Sequence, residues 1–212
     1  DFRVHRVDYR TPAGLPFVLV ELVDVTELFV GCDFRAFAQV ADGGGAVKGL
    51  VVPGGAEWGR SRLDKLTERA KSAGAKGLVW IKRLDDEFSS PVAKFLGEGL
   101  LTRLADHSGL GVGDLLLLAA DDWETAATTM GTLRTSLASE EDWVGDGMRF
   151  LWVTDFPLLE RDDEEGRLVA RHHPFTSPLE EDVEKLESSP LEVRAQAYDL
   201  VLNGVELGGG SI

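Results

Sequence analysis

The chain has 212 residues, 43% of them hydrophobic, so it is long and apolar enough to bury a core and is not disordered throughout. Its formal net charge of −15 at pH 7 argues against a role as a principal nucleic-acid-binding surface, because such surfaces are basic. No apolar run approaches the roughly 20 residues that cross a bilayer, which predicts a protein without membrane contact. The single Cys32 cannot form an internal disulfide, and this fits the reducing cytoplasm.

The N-terminal part of the chain predicts a connector followed by β-structure. Residues 1–16 contain Pro12, Gly14 and Pro16 and lead into the alternating apolar run at residues 17–24, which is typical of a strand. Two further β-prone runs, residues 34–40 and 47–52, lie on either side of a glycine cluster and predict a hairpin.

The next hundred residues alternate between helical and extended patterns. Helices are predicted for residues 61–74, 91–104 and 123–137, and strands for residues 76–84 and 114–120. Gly97 and Gly99 weaken the second helix. Because the glycine hairpin requires antiparallel pairing, we predict an α+β fold rather than a doubly wound parallel sheet.

A polar, glycine-containing connector at residues 139–147 predicts a domain boundary. After it, residues 150–159 predict a strand that ends at Pro157, and the acidic run 161–166 predicts the exposed tip of a hairpin. The sequence therefore predicts one domain at residues 20–140 and a second at residues 148–212.

Two adjacent histidines form the most unusual feature of the second domain. His172 and His173 open the segment His-His-Pro-Phe-Thr-Ser-Pro, in which successive side chains of an extended chain point to opposite faces. One histidine could therefore donate a hydrogen bond to a substrate carboxylate, while the other histidine packs against the first and orients it. For such a pair seen alone, a surface or packing role is the more common explanation.

The dipeptide Asn203-Gly204 lies between two β-prone runs and predicts a tight two-residue hairpin. The resulting register pairs Leu202 with Val205, Val201 with Glu206 and Asp199 with Gly208. Asp199 and Glu206 then lie on one face as diagonal neighbours about 7–8 Å apart, which suits a Mg²⁺ ion with nucleotide phosphates. The alternative is an edge hairpin with solvent-facing acidic side chains.

The segments described above occur in an order that resembles the bacterial aspartyl-tRNA synthetases. The resemblance lies in Phe-Leu-Trp-Val-x-Asp-Phe-Pro from Phe150, the His-His-Pro-Phe-Thr-Ser-Pro segment, and Tyr-Asp-x-Val-x-Asn-Gly-x-Glu-x-Gly-Gly-Gly-Ser from Tyr198. Upstream, Glu-Leu-Val-Asp-Val-Thr from Glu21 and Lys-Gly-Leu-Val-Trp-Ile-Lys from Lys76 resemble the GAD insertion domain of those enzymes.

The resemblance implies a class II synthetase fragment with three parts. Residues 1–19 would be a connector from the catalytic domain, residues 20–140 a two-layer GAD-like insertion domain, and residues 148–212 part of the antiparallel catalytic sheet. The parent enzyme would join L-aspartate to ATP to give aspartyl-adenylate and then charge tRNA, mainly through tRNA-binding regions outside this sequence. It would act as a homodimer, and this fragment alone would be inactive.

The resemblance also implies roles for individual residues, none of them catalytic. His172 matches the position that contacts aspartate, with His173 beside it. Glu206 matches an ATP-binding and Mg²⁺-binding position, and Asp199 a second acidic metal position. The three glycines match backbone that borders the adenylate: Gly208, Gly209 and Gly210.

Two alternatives remain open on the sequence. The GAD-like domain could serve as an interaction module that contacts tRNA or a protein partner, and residues 148–212 distinguish this from the enzyme. The parent could instead be a non-discriminating aspartate/asparagine–tRNA synthetase, and the residues that decide this lie outside the sequence.

Overall fold

The structure is a computed structural model that describes residues 22–85, 87–141, 143, 150–162, 165–202 and 205–212. Contacts divide the described residues into two units, residues 22–143 and residues 150–212. The connector predicted for residues 1–19 and the Asn203-Gly204 turn lie outside the described residues. The predicted domain boundaries stay a prediction, because residues 144–149 are likewise not described.

The first unit is built on a five-stranded antiparallel sheet. Its strands are β1 (Leu22–Asp24), β2 (Ala46–Val52), β3 (Val79–Arg83), β4 (Phe88–Ser89) and β5 (Leu115–Asp121). They lie in the order β1-β2-β5-β3-β4. The sequence Leu-Leu-Leu-Leu-Ala-Ala-Asp places β5 at the centre, because apolar side chains on both faces of a strand must both be buried.

Helices cover both faces of this sheet. They are α1 (Arg35–Asp42), α2 (Arg60–Ser72), α3 (Ala93–Ser108) and α4 (Trp123–Glu140). Side chains of α1 and α3 pack with Leu116 and Leu118 in one hydrophobic cluster, and those of α2 and α4 pack with Leu115 and Leu117 in another. The α+β class with antiparallel pairing is confirmed. The central strand β5 is buried on both of its faces.

The hairpin predicted around the glycine cluster is wrong. Its first run is helix α1, and β2 pairs with β1 and β5 instead. The apolar residues Phe34, Phe37, Ala38 and Ala41 recur at helical spacing, and all four pack into the core. A Cβ at Gly45 would lie 2.7 Å from the Asp121 carbonyl oxygen, so this glycine lets the end of α1 approach β5. The other helices and strands predicted for this unit from residue 61 onward are confirmed, with their ends shifted by a few residues.

The second unit contains a small antiparallel sheet and a separate hairpin. Its elements are β6 (Phe150–Val153), β7 (Leu159–Asp162), β8 (Arg167–Ala170), α5 (Lys185–Ser188), β9 (Ala197–Leu202) and β10 (Val205–Ser211). The sheet has the order β10-β9-β6, and β7 pairs with β8 in the acidic hairpin predicted from the sequence. Among the described residues, no helix is long and apolar enough to cross a membrane.

Candidate functional site

The strand pair β9 and β10 carries the two acidic residues predicted to bind metal. Val205 pairs with Leu202 and Glu206 pairs with Val201, as the sequence predicts. The predicted pairing of Asp199 with Gly208 is wrong, since Asp199 pairs with Gly209. The register shifts between Glu206 and Gly208, because Leu207 forms a β-bulge that inserts one extra residue into β10.

The bulge leaves both carboxylates on one face of the sheet. Asp199 and Val201 share a face of β9 because alternate residues of a strand point the same way, and Glu206 lies opposite Val201. Asp199 is half-buried and Glu206 is exposed. Two carboxylates are a donor set that suits Mg²⁺, which commonly takes one or two protein carboxylates and fills its other positions with phosphate oxygens and water. Among the described residues, no group of three or more histidine, cysteine, aspartate or glutamate side chains could hold a metal ion by itself.

The three glycines of β10 have different surroundings. A Cβ at Gly209 would collide with the Asp199 carboxylate, and a Cβ at Gly210 would lie 2.7 Å from the Tyr198 hydroxyl oxygen. These two glycines therefore let the side chains of β9 lie flat across β10. A Cβ at Gly208 meets nothing within 4 Å. This open space is on the face of Leu200, the partner of Gly208 in β9, and so on the face opposite Asp199 and Glu206.

His172 and His173 are both exposed, and they contact different aromatic rings. The His172 imidazole lies edge to face with the buried Phe156, with 4.8 Å between ring centroids. The His173 imidazole lies 5.2 Å from the exposed Phe175 ring and accepts the Phe175 backbone N–H through Nδ1 at 3.3 Å. His173 therefore bonds within its own turn, whereas His172 packs against a ring in the core of the second unit.

Backbone hydrogen bonds attach the histidine segment to the strand pair. The Ser177 N–H donates to the carbonyl of Ile212, just after β10, and the Ser177 carbonyl accepts the Gln196 N–H at 2.8 Å, just before β9. Ile212 in turn donates to the Gln196 carbonyl at 3.0 Å. The structure therefore brings the end of the histidine segment to the same end of the sheet as Gly210. Among the described residues, His172 forms no hydrogen bond with Asp199 or Glu206.

A cluster of charges beside this segment was not predicted from the sequence. The Arg194 guanidinium donates to Asp182 Oδ2 at 2.7 Å and to Asp155 Oδ1 at 2.9 Å, and it also contacts Glu181. Asp182 is 1% exposed, although it lies in an acidic run that looks like a solvated surface. The feature of the sequence that indicates this cluster is Arg194, a basic residue in a strongly acidic stretch.

Comparison with known proteins finds a match to one domain family and longer matches to individual enzymes. Residues 37–130 match the GAD domain. The chain is 48% identical over 194 residues to aspartate–tRNA(Asp/Asn) ligase of Halothermothrix orenii, 51% over 198 residues to that of Moorella thermoacetica, and 46% over 195 residues to aspartate–tRNA ligase of Clostridium novyi. Each alignment covers 91% of this chain.

The similarity extends well beyond the GAD domain and into the second unit, because an alignment of 194 residues is far longer than the domain match at residues 37–130. A GAD interaction module alone is therefore not favoured. The chain spans about a third of the length of these relatives, with 33% of the Halothermothrix orenii protein covered.

Proposed function

Because this chain belongs to the aspartate–tRNA ligase family, we propose that the protein of which it forms about a third activates L-aspartate with ATP and transfers it to tRNA. The observation that carries this proposal is the identity of 46–51% to ligases across both units. The second unit of the chain would supply part of the aspartate and ATP site.

Asp199 and Glu206 are the residues proposed to hold Mg²⁺ and the phosphates of ATP. Their position on one face of β9 and β10 supports this role, since both can offer carboxylate oxygens in one direction. A bound Mg²⁺ would neutralise negative charge on the phosphates. Gly208 is proposed from the family resemblance alone to border the nucleotide through its backbone, since it pairs with Leu200 and its missing Cβ points to the face opposite the two carboxylates. Gly209 and Gly210 would contribute indirectly, by making room for Asp199 and Tyr198.

His172 is the residue proposed to contact the aspartate substrate, with His173 beside it. An exposed imidazole held by a buried ring can donate a hydrogen bond to a substrate carboxylate without losing its orientation. The hydrogen bond from Phe175 to Nδ1 places the proton of a neutral His173 on Nε2. His173 would therefore present an N–H donor on its outward side.

We further propose that the full-length protein is a class II synthetase that acts in the cytoplasm as a homodimer. These proposals rest on the family resemblance of residues 148–212. The antiparallel pairing of β6, β9 and β10 is consistent with the catalytic sheet of that class.

The proposed activity is tested by ATP–pyrophosphate exchange with the full-length protein. L-Aspartate should support exchange in the presence of Mg²⁺, whereas L-asparagine and L-glutamate should not. Exchange that depends on another amino acid, or no exchange with aspartate, would contradict the proposal.

A second candidate function has the same amino acid but a wider choice of tRNA, because the enzyme would charge both aspartate and asparagine tRNA. The ligases of Halothermothrix orenii and Moorella thermoacetica are both named for tRNA(Asp/Asn), whereas that of Clostridium novyi is named for aspartate and tRNA alone. Charging of purified asparagine tRNA with aspartate by the full-length protein would favour the non-discriminating enzyme. Charging of aspartate tRNA alone would exclude it.

A further inference from the structure

Arg194 joins its own segment of the second unit to two others through its guanidinium group, one that contains Glu181 and Asp182 and one that contains Asp155. Nε donates to Asp182, Nη1 donates to Asp155, and Nη2 contacts Glu181. The backbone N–H of Arg194 also donates to Asp182 Oδ2 at 3.1 Å. A planar guanidinium can satisfy several carboxylates at fixed angles, which a lysine ammonium cannot. The geometry of the three segments therefore depends on this one side chain.

The buried partner of Arg194 is charged at physiological pH. Hydrogen bonds from Arg194 and Lys185 hold the pKa of Asp182 well below its usual range. Lys185 Nζ donates to the second carboxylate oxygen of Asp182 at 2.7 Å. Both oxygens of the Asp182 carboxylate are thus occupied, and this buried charge anchors the Arg194 guanidinium.

On its other side, Arg194 holds a residue with an unusual backbone conformation. Asp155 has φ 60°, in the left-handed region, and no other described residue apart from glycine has a positive φ. A hydrogen bond from Thr154 Oγ1 to Asp155 Oδ2 at 2.9 Å and the Arg194 contact fix both of its carboxylate oxygens. Asp155 directly precedes Phe156, so its backbone conformation sets the direction in which the chain enters Phe156.

Phe156, the residue after Asp155, contacts the candidate histidine. Phe156 is 5% exposed and contacts the His172 ring edge to face. Its carbonyl accepts the Ala195 N–H at 2.7 Å, and the N–H of Arg171, the residue before His172, donates to Leu158 at 3.1 Å. A continuous set of contacts therefore runs from Asp182 through Arg194, Asp155 and Phe156 to the His172 imidazole.

We propose that Arg194 is a positioning residue that holds the Asp155–Phe156 segment against the His172 ring and so fixes the orientation of this imidazole toward the aspartate substrate. The inference rests on the proposed function only in naming aspartate as the molecule that His172 meets. Arg194 itself acts through Phe156 and touches no reacting atom.

The first arm of the test measures the orientation of His172 without any activity. The chain has 4 histidines, so labelled histidine gives few side-chain NMR signals, and His172→Gln assigns the relevant one. Phe156→Leu should move the His172 signal toward the value of an unstructured histidine, because the ring current of Phe156 is lost. Asp155→Gly and Arg194→Lys should move it in the same direction.

The variants at Asp155 separate positioning from folding. Glycine adopts φ 60° readily, so Asp155→Gly removes the contact with Arg194 without straining the backbone. Asparagine also tolerates this conformation and keeps an oxygen that accepts from Arg194 Nη1, so Asp155→Asn should restore the wild-type signal. Arg167→Lys is the matched control, because Arg167 contacts the exposed Glu165 in the β7–β8 turn.

The second arm measures kinetics in the full-length protein. Arg194→Lys and Asp155→Gly should raise the KM for aspartate by about 10-fold with little change in the KM for ATP, since a small displacement of an orienting group weakens one substrate selectively. Combined with His172→Ala, Arg194→Lys should add almost nothing, because both changes remove the same interaction.

A His172 signal that stays in place in folded Asp155→Gly and Arg194→Lys, while Phe156→Leu moves it, would overturn the inference. Additive effects of Arg194→Lys and His172→Ala on the KM for aspartate would overturn it as well. If the wild-type protein shows no aspartate-dependent exchange, the proposed function fails, and the NMR arm still decides whether Arg194 positions His172.

Discussion

At the scale of single residues, Asp182 shows how a buried charge is accommodated. Its carboxylate is almost fully buried, and it accepts hydrogen bonds from two cationic side chains and one backbone N–H. A buried charge that lost these partners would be strongly destabilising. The charge cluster therefore makes the second unit sensitive to the protonation state of one aspartate.

This sensitivity predicts how stability changes with pH. The pKa of Asp182 is lowered in the folded state, so the unfolded state binds a proton more readily. Its contribution is complete above the unfolded pKa of about 3.9 and is lost as the pH falls from there toward the lower folded pKa. Asp182→Asn should therefore lower stability at pH 7 and flatten the decline between about pH 4 and pH 2.

Urea unfolding of the second unit at a series of pH values measures this effect. Glu184→Gln is the matched control, because Glu184 is an exposed carboxylate in the same acidic run. An acid decline that is equally steep in Asp182→Asn and wild type would contradict the role given to Asp182.

The acidic and histidine residues of the candidate site could be predicted from the sequence, but the contacts that support them could not. Hairpin geometry was enough to place Asp199 and Glu206 on one face, because strand alternation is local. The bulge at Leu207 has no comparable signature, so the glycine opposite Asp199 was assigned one position too early. Asp182 was missed because a long-range contact with Arg194, and not its neighbours in sequence, allows it to be buried.

At the scale of secondary structure elements, the kink in α3 accounts for the weak helical signal at Gly97 and Gly99. Gly97 has φ 69° and ψ 157°, which interrupts the helix, whereas Gly99 lies in the continuing helix beyond it. A Cβ at either glycine would meet nothing within 4 Å. The two positions therefore differ in backbone conformation and not in available space.

This difference predicts opposite effects for the same substitution. Gly97→Ala should destabilise the first unit by about 1–3 kcal/mol, because alanine is strained at this φ. Gly99→Ala should be neutral or stabilise it by up to about 1 kcal/mol, because a helical glycine loses more backbone entropy than alanine. Chemical unfolding monitored by circular dichroism measures both. Equal destabilisation by the two substitutions would contradict the kink.

The incorrect hairpin prediction at α1 has a physical cause at this scale. The run Phe34 to Val40 contains residues with high strand propensity next to glycines, which favours a turn between strands. The spacing of its buried residues is nevertheless helical, and burial of Phe37 and Ala38 against the sheet outweighs local propensity. Periodicity is therefore the better guide for this segment than residue type.

At the scale of the whole molecule, the two units differ in how much apolar surface they bury. The first unit has a hydrophobic cluster on each face of its sheet. In the second unit, Phe150 and Trp152 are each 56% exposed, and β6 and β10 each have one edge without a partner among the described strands. The second unit should therefore be the less stable of the two.

Hydrogen exchange on the isolated chain measures this difference. Backbone amides of β2 and β5 should exchange much more slowly than those of β6 and β9, since opening free energy follows buried contacts. Equal protection in the two sheets would mean that residues 150–212 are a complete, independently stable domain.

For the full-length protein, we propose that β9 and β10 bind the nucleotide while the histidine segment binds aspartate. Pyrophosphate exchange by the full-length protein, titrated separately with Mg²⁺-ATP and L-aspartate, tests it most directly. Glu206→Gln removes a negative charge near the cation and should weaken the response to Mg²⁺-ATP by about 10- to 100-fold, the equivalent of one charge-assisted hydrogen bond. His172→Ala should instead raise the aspartate concentration required, with ATP dependence nearly unchanged. Unchanged kinetics in both variants, or the two effects exchanged between substrates, would contradict the account.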